Sequence, residues 1–270
     1  MRAAPAIAAA VLSFAASGAE PVAFVADLEG NASIEGDGKV AFLAELGAGT
    51  RLLLGTGSKV AVTYASSGSE YTIRGPGEFS VRETEVHADK GSKPTRRAVA
   101  ALRDATVVAQ ASKTATASLR MRNLQPTAAR TGLDFPVDTK VATLQPVLRW
   151  SQPAKDKAEV ILFDGNGKEL WKGSSDEASA RPGVKLAPAA RYRWTVMTPR
   201  GSVGEAQFET LGADALAKAS KAQGSAKTFS ERVMHALVLQ DLGASQEARD
   251  AWHALARERT DLPELAALAR

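Results

Sequence analysis

Apolar and polar positions follow two different periods along this chain, and the period changes near residue 212. Before that point, short apolar or alternating runs are separated by glycine-rich turns at intervals of about 8–12 residues, a pattern typical of antiparallel strands. After it, apolar positions recur at the three- and four-residue spacing of helices. The sequence therefore predicts a mainly β protein, with two small β domains followed by a C-terminal α-helical hairpin.

The first predicted β domain covers residues 20–86. Its predicted strands are short and apolar, and glycines stand between them where turns need a positive φ. We expect these strands at residues 22–26, 40–43, 51–54, 59–64, 70–73 and 78–81.

Two segments of this domain carry a family resemblance. Residues 46–62 read LGAGTRLLLGTGSKVAV, and residues 71–79 read YTIRGPGEF. Both resemble FecR-like domains, and the resemblance extends over residues 21–86. It implies a periplasmic β domain that, in the best-known members, takes part in transmembrane signalling to a sigma-factor system. We expect no counterpart here of the transmembrane helix and cytoplasmic segment of those members, so signalling is an alternative function.

The second predicted β domain covers residues 133–211 and shows strict alternation. Leu148 and Trp150 share one face of a predicted strand, and Tyr192, Trp194 and Val196 share one face of another. Alternation of this kind places one face in a core, so these rings are predicted to be buried. The alternative is an exposed aromatic platform that stacks on sugars.

Three motifs in this second domain resemble a fibronectin type III or immunoglobulin-like sandwich. The motifs are P-x-L-x-W at 146–150, L-x-P-x-x-x-Y-x-W-x-V at 186–196 and F-x-T at 208–210. The resemblance implies that Trp150 and Trp194 anchor the core and that Tyr192 forms a tyrosine corner.

The C-terminal segment, residues 212–270, is predicted to be helical. A helix that begins at a Ser230 cap would place Met234 and Leu237 on one apolar face. The positions of Gly243 and Trp252 resemble a single degenerate tetratricopeptide repeat over residues 228–268. One such hairpin cannot bury its own apolar face. We therefore expect it to dock either on this chain's own domains or on a partner protein.

The first 19 residues have the layout of a secretory signal peptide. Arg2 is followed by an uncharged run at residues 3–16 and by small residues at 17–19, so cleavage is expected after Ala19. The alternative is a membrane anchor, but the run is shorter than the roughly 20 apolar residues that cross a bilayer. The sequence thus predicts a periplasmic protein.

Positive charge is concentrated in one part of the chain. The formal net charge is +4, whereas residues 82–130 carry ten Lys and Arg against four Asp and Glu. We predict a basic linker at residues 87–132 with an extra strand at 115–121. Its functional interpretation is a site for an anionic polymer or membrane surface, and the alternative is a solvated linker. The residues of this candidate site are Arg96, Arg97, Arg103, Arg120 and Arg122.

Residues that carry common enzyme chemistry are scarce. The chain has no cysteine and three histidines, His87, His235 and His253, none of which forms a metal-binding or nucleophile motif. Aromatic residues that could stack bases are missing from the basic linker, so no nucleic acid partner is expected. The sequence predicts a non-enzymatic envelope interaction or scaffold protein without cofactor or metal. A sensory component and, less favoured, a glycan-acting enzyme are the alternatives.

Overall fold

The computed structural model describes residues 21–64, 66–99, 132–151 and 156–270. Over these residues the protein is mainly β, with helices at its C-terminal end, as predicted. We call strands β1–β10 the first β unit, strands β11–β18 the second β unit, and the helices the helical segment.

The first β unit consists of two antiparallel sheets that share one core. Sheet A has the order β10-β7-β6-β1-β4, and sheet B has the order β3-β2-β5-β8-β9. Leu52 and Phe79 of sheet B and Val60 and Ile73 of sheet A are almost fully buried between them. The strands are β1 (Pro21–Glu29), β2 (Ala32–Ile34), β3 (Gly38–Lys39), β4 (Glu45–Gly47), β5 (Arg51–Leu54), β6 (Lys59–Tyr64), β7 (Ser69–Arg74), β8 (Gly77–Val81), β9 (Val86–Lys90) and β10 (Thr95–Ala98).

Two strands of this unit lie beyond the boundary predicted at residue 86. Strand β9 pairs with β8, and β10 pairs with β7 so that Arg97 lies opposite Glu70. Most side chains of both strands are exposed or half-exposed, so no apolar alternation marks them in the sequence. The first part of the predicted basic linker is therefore strand. The predicted extra strand at 115–121 lies outside the described residues.

The second β unit is also built from two sheets around a core. Sheet C has the order β11-β13-β16, and sheet D has the order β12-β18-β17-β14-β15, in which β12 and β18 are parallel. The strands are β11 (Leu133–Phe135), β12 (Thr139–Val141), β13 (Leu148–Trp150), β14 (Ala158–Asp164), β15 (Glu169–Ser175), β16 (Ser179–Ala180), β17 (Arg191–Thr198) and β18 (Gly201–Thr210).

The aromatic residues predicted for this core are buried. Trp150 and Trp194 are at most 2% exposed, and the Trp194 indole donates a hydrogen bond to the Pro136 carbonyl at 2.8 Å. The Tyr192 hydroxyl accepts a hydrogen bond from the Ala187 N–H at 2.8 Å. The core interpretation is confirmed, and these rings do not form an exposed sugar-stacking platform.

The helical segment contains α1 (Ala213–Ser225), α2 (Phe229–Asp241), α3 (Ser245–Glu258) and α4 (Pro263–Leu268). The N-cap of α2 is Thr228 rather than the predicted Ser230. Thr228 and Glu231 form a reciprocal capping box, in which the Glu231 carboxylate accepts from the Thr228 N–H at 2.8 Å. Gly243, with φ of 79°, allows the tight turn between α2 and α3.

The helical segment docks within the chain, which decides between the two expectations for the hairpin. Val233, Met234 and Leu237 of α2 join the core of the first β unit. Phe229 packs against Phe42 with ring centroids 6.2 Å apart. The apolar face that one hairpin cannot bury alone is thus covered by a β-sheet.

Candidate functional site

The predicted basic site is only partly within the described residues, where Arg96 and Arg97 are neighbours on the edge strand β10. Arg96 is exposed and donates to the Ser69 hydroxyl at 3.0 Å. Arg103, Arg120 and Arg122 lie outside the described residues, so the five-residue site stays a prediction.

Arg97 is committed to contacts inside the protein. Its guanidinium lies 2.6 Å from the Glu70 carboxylate and 3.0 Å from that of Glu231 on α2, and it donates to the Thr228 and Ser230 hydroxyls at 2.8 Å. Hydrogen bonding to Glu70 raises the pKa of Arg97. Arg97 therefore joins sheet A to the cap of α2, and its charge is already balanced by two carboxylates.

Register explains why these charges meet beneath a helix. Phe24 lies opposite Thr63, Thr63 opposite Glu70, and Glu70 opposite Arg97, so the four side chains share one face of sheet A. This face meets α2 through Arg97, while the other face packs on sheet B. Sheet A is consequently buried on both sides.

A second charged cluster fixes the end of α3 to the same sheet. The Arg259 guanidinium lies 2.5 Å from the Asp27 carboxylate and donates to the Leu28 carbonyl at 2.6 Å. Asp27 is 6% exposed and also contacts Lys59 at 3.3 Å. Hydrogen bonds to Asp261 and Asp27 raise the pKa of Arg259. The two clusters attach the open end of the helical hairpin, where α2 begins and α3 ends, to the first β unit, and the Arg259 guanidinium lies 5.0 Å from the ring of Phe229 at the start of α2.

The first turn of α3 binds the second β unit. The Gln246 amide accepts from the Val137 N–H at 2.8 Å and donates to the Asp134 carbonyl at 2.9 Å. The Glu247 carboxylate accepts from the Ala142 N–H at 2.7 Å. An ion pair between Arg149 and Asp250, at 2.8 Å, completes this contact. One helix thus connects both β units.

An open groove, which we call the outer groove, crosses the face of α2 that points away from sheet A. His235 and Leu239 lie on the opposite side of α2 from Val233 and Leu237, because two residues turn a helix by about 200°. Two adjoining cavities of about 370 and 470 Å³ share His235 and Gln223 as lining residues. Helix α1 with its C-cap residue and helix α3 form the walls, largely from small side chains: Ala219, Ala226, Ala251 and Ala254.

The charged groups of the outer groove are unequally compensated. Arg232 contacts Glu258 at 2.6 Å, and Asp250 is paired with Arg149. Glu247 forms no ion pair within 4.0 Å among the described residues. Burial raises the pKa of Glu247 to about 7, although the Ala142 N–H opposes the shift. Burial also lowers the pKa of His235, which favours its neutral form.

Metal and membrane features were sought over the same part of the chain. No group of three or more His, Asp or Glu residues there is arranged to hold a metal ion. None of the helices that the structure describes is long and apolar enough to cross a membrane.

Of the residues that join the three parts, sequence reasoning named Arg97 alone, and it assigned this side chain to the basic site rather than to an internal contact. Asp27 is the one that carried a signal, because an acid inside the apolar run at 22–28 predicts a buried ion pair. Gln246, Glu247 and Arg259 lie on polar helix positions that look solvent-exposed, and their contacts depend on tertiary structure.

Comparison with protein-family models and with curated proteins gives no relative. No protein-family model matches the chain, and no curated protein matches it. The structure therefore defines a class, a mainly β protein with a C-terminal helical part, without a family assignment.

Proposed function

We propose that this protein is a non-enzymatic interaction or scaffold protein of the bacterial cell envelope. The observation that carries the proposal is the bridging position of the helical segment. Arg97 and Arg259 attach it to the first β unit, and Gln246 with Asp250 attaches it to the second. These contacts support a scaffold in which the helical segment holds the two β units in a fixed orientation relative to each other.

Three sequence features support the envelope location. Residues 1–19 have the layout of a signal peptide, residues 21–86 resemble FecR-like domains, and residues 133–211 resemble fibronectin type III or immunoglobulin-like sandwiches. Arg97 and Arg259 are used in joining the parts of the molecule, which supports a structural rather than a catalytic role for these two side chains.

Export is tested by expressing the full chain in a Gram-negative host and determining the N-terminus of the periplasmic fraction. We expect a mature protein that begins at Glu20. A protein that stays in the cytoplasm with residues 1–19 attached would contradict the envelope location.

The scaffold function is tested by photo-crosslinking in the native cells, followed by identification of the captured proteins. We expect the Arg97→Met, Arg259→Met double variant to lose partners that wild type captures. Arg191→Met, at a side chain that is 82% exposed, is the control that keeps them. Identical capture by the double variant would contradict a scaffold role of the helical segment.

Two other results would favour the alternative functions. Capture of an inner-membrane anti-sigma-type protein would favour the sensory alternative, and glycan turnover by pure protein would refute the non-enzymatic assignment.

A further inference from the structure

The outer groove offers a defined binding position for a partner. We propose that a partner polypeptide lies in this groove and inserts a lysine or arginine side chain beside Glu247. The inference rests on the proposed interaction function and specifies the chemistry of the partner.

The geometry leaves room for one basic side chain at the end of the groove nearest the second β unit. The cavity there measures about 370 Å³ and is lined by Glu247, Asp250, His235 and Ala219. The adjoining cavity of about 470 Å³ continues past Ala254 along α3. A polypeptide in the second cavity can therefore direct a side chain into the first.

Charge selects a cation for this position. The Glu247 carboxylate accepts a hydrogen bond from Ala142, and among the described residues no cationic group lies within 4.0 Å of it. Arg149 acts on Glu247 only at longer range, since its guanidinium is paired with Asp250. An incoming ammonium or guanidinium group would supply the counter-charge that a half-buried carboxylate lacks.

The other groups that face Glu247 do not favour an anion. Asp250 on α3 adds negative potential, and burial lowers the pKa of His235 on α2, which favours its neutral form. Helix α1 contributes the uncharged Ala219 and Gln223. Arg149 on β13 is the cation whose charge acts on Glu247, and its guanidinium is already paired with Asp250. An acidic or phosphorylated peptide would meet repulsion at this end of the groove.

Proton release is a distinguishing signature of this binding mode. Burial raises the pKa of Glu247 to about 7, so part of the free protein carries a proton there at neutral pH. A bound cation favours the ionised carboxylate, and binding must displace that proton. Affinity is therefore expected to increase between pH 6 and pH 8.

The test uses fluorescence polarisation with the purified mature chain and three hexapeptide libraries. Their central residue is Lys, Arg or norleucine, and the other positions are drawn from Ala, Leu, Ser and Thr. We expect wild type to bind the Lys and Arg libraries and to bind the norleucine library weakly. Glu247→Gln should bind the Lys and Arg libraries with about tenfold lower affinity, because it loses one charge-assisted contact. Glu177→Gln, at an exposed acid of the second β unit, is the matched control.

A second variant tests the groove itself. Ala254→Trp places a bulky ring at an exposed wall position and should reduce peptide binding without altering the circular dichroism spectrum. Equal binding of the norleucine library, or unchanged affinity and pH dependence in Glu247→Gln, would overturn the proposal. If wild type forms a dimer and Ala254→Trp abolishes that dimer, the groove binds a second copy of the chain, and the proposal of a basic partner polypeptide is overturned. Absence of peptide binding together with intact crosslinks in cells would refute the groove assignment and leave the scaffold function standing.

Discussion

At the scale of single residues, Arg96 and Arg97 show how tertiary structure separates two identical side chains on one strand. Arg97 faces Glu70, whose side chain is 3% exposed. Among the described residues, the side-chain hydrogen bonds of Arg96 go to the Ser69 hydroxyl. Because removal of one partner leaves a buried charge without compensation, we predict that Arg97→Met lowers the free energy of unfolding by about 3 kcal/mol. Urea titration at pH 7 measures this change.

Arg96→Met is the matched control and should change stability by about 0.5 kcal/mol or less. The double variant Arg97→Met, Glu70→Gln should recover part of the loss, because it removes the unpaired charge as well. If Arg97→Met and Arg96→Met change the free energy of unfolding equally, the contacts of Arg97 with Glu70 and Glu231 do not stabilise the fold more than the exposed Arg96 does.

Glu247 gives the protein a defined dependence on pH. Its pKa of about 7 in the folded state exceeds the ordinary value of 4.5, so the folded state binds the proton more tightly than the unfolded state. Stability from this group is fully present below pH 4.5 and is lost as the pH rises through 7. We predict that Glu247→Gln, which keeps an acceptor for the Ala142 N–H, is more stable than wild type by about 1–2 kcal/mol at pH 8.

The two proteins should approach equal stability near pH 4.5, which urea titrations across this range would reveal. His235 acts in the opposite sense, because burial lowers its pKa and the folded state resists its protonation. That contribution is common to both proteins and cancels in the comparison. A stability difference between the two proteins that stays constant from pH 4.5 to pH 8 would show that folding does not raise the pKa of Glu247.

At the scale of elements, the apolar runs predicted the buried strands better than the exposed ones. Strand β6 is buried along nearly its whole length because helices cover the outer face of sheet A and sheet B covers the other. Strands β9 and β10 were not predicted, since their polar side chains give no period. The apolar residues Val40 and Phe42 are buried in the loop between β3 and β4 rather than in the strand predicted at 40–43.

The turn between α2 and α3 depends on one backbone conformation. Gly243 has φ of 79°, and an added Cβ there would meet the Lys140 side chain at an ordinary 3.6 Å. The cost of Gly243→Ala is therefore backbone strain, which we predict to reduce the free energy of unfolding by about 1–2 kcal/mol. Gly183→Ala, at a position without a positive φ and with open space around it, is the control. Similar thermal midpoints for both variants would contradict this explanation.

At the scale of the whole molecule, the need for docking was predictable but its site was not. A single hairpin must cover its apolar face, which the sequence shows through Met234 and Leu237. The partner surface is sheet A, and its outer face includes the polar residues Thr63, Glu70 and Arg97, which do not read as a docking surface. The contacts of Gln246 with backbone groups at Val137 and Asp134 leave no sequence pattern at all.

The bridging helix α3 makes a prediction about cooperativity. If it transmits stability between the β units, two different probes should report the same urea midpoint. Tryptophan fluorescence reports mostly on the second unit, which holds Trp150, Trp171 and Trp194, three of the four tryptophans of the chain. Far-ultraviolet circular dichroism averages the whole chain. The Ser245→Ala, Gln246→Ala, Glu247→Ala, Asp250→Ala variant removes the side-chain hydrogen bonds and the ion pair of α3 with the second unit. Its two midpoints should separate, because each β unit then unfolds by itself.

Gln207→Ala, at an exposed position on the surface of the second β unit, should keep the two midpoints together. Loss of coincidence in this control as well would mean that the second unit is weakened in general rather than uncoupled. Coincident midpoints in the α3 variant would mean that the polar contacts position the units without coupling their stability. The scaffold would then depend on Arg97, Arg259 and the apolar face of α2 alone. In that case the first β unit and the helices would form one cooperative unit, and the second β unit would not belong to it.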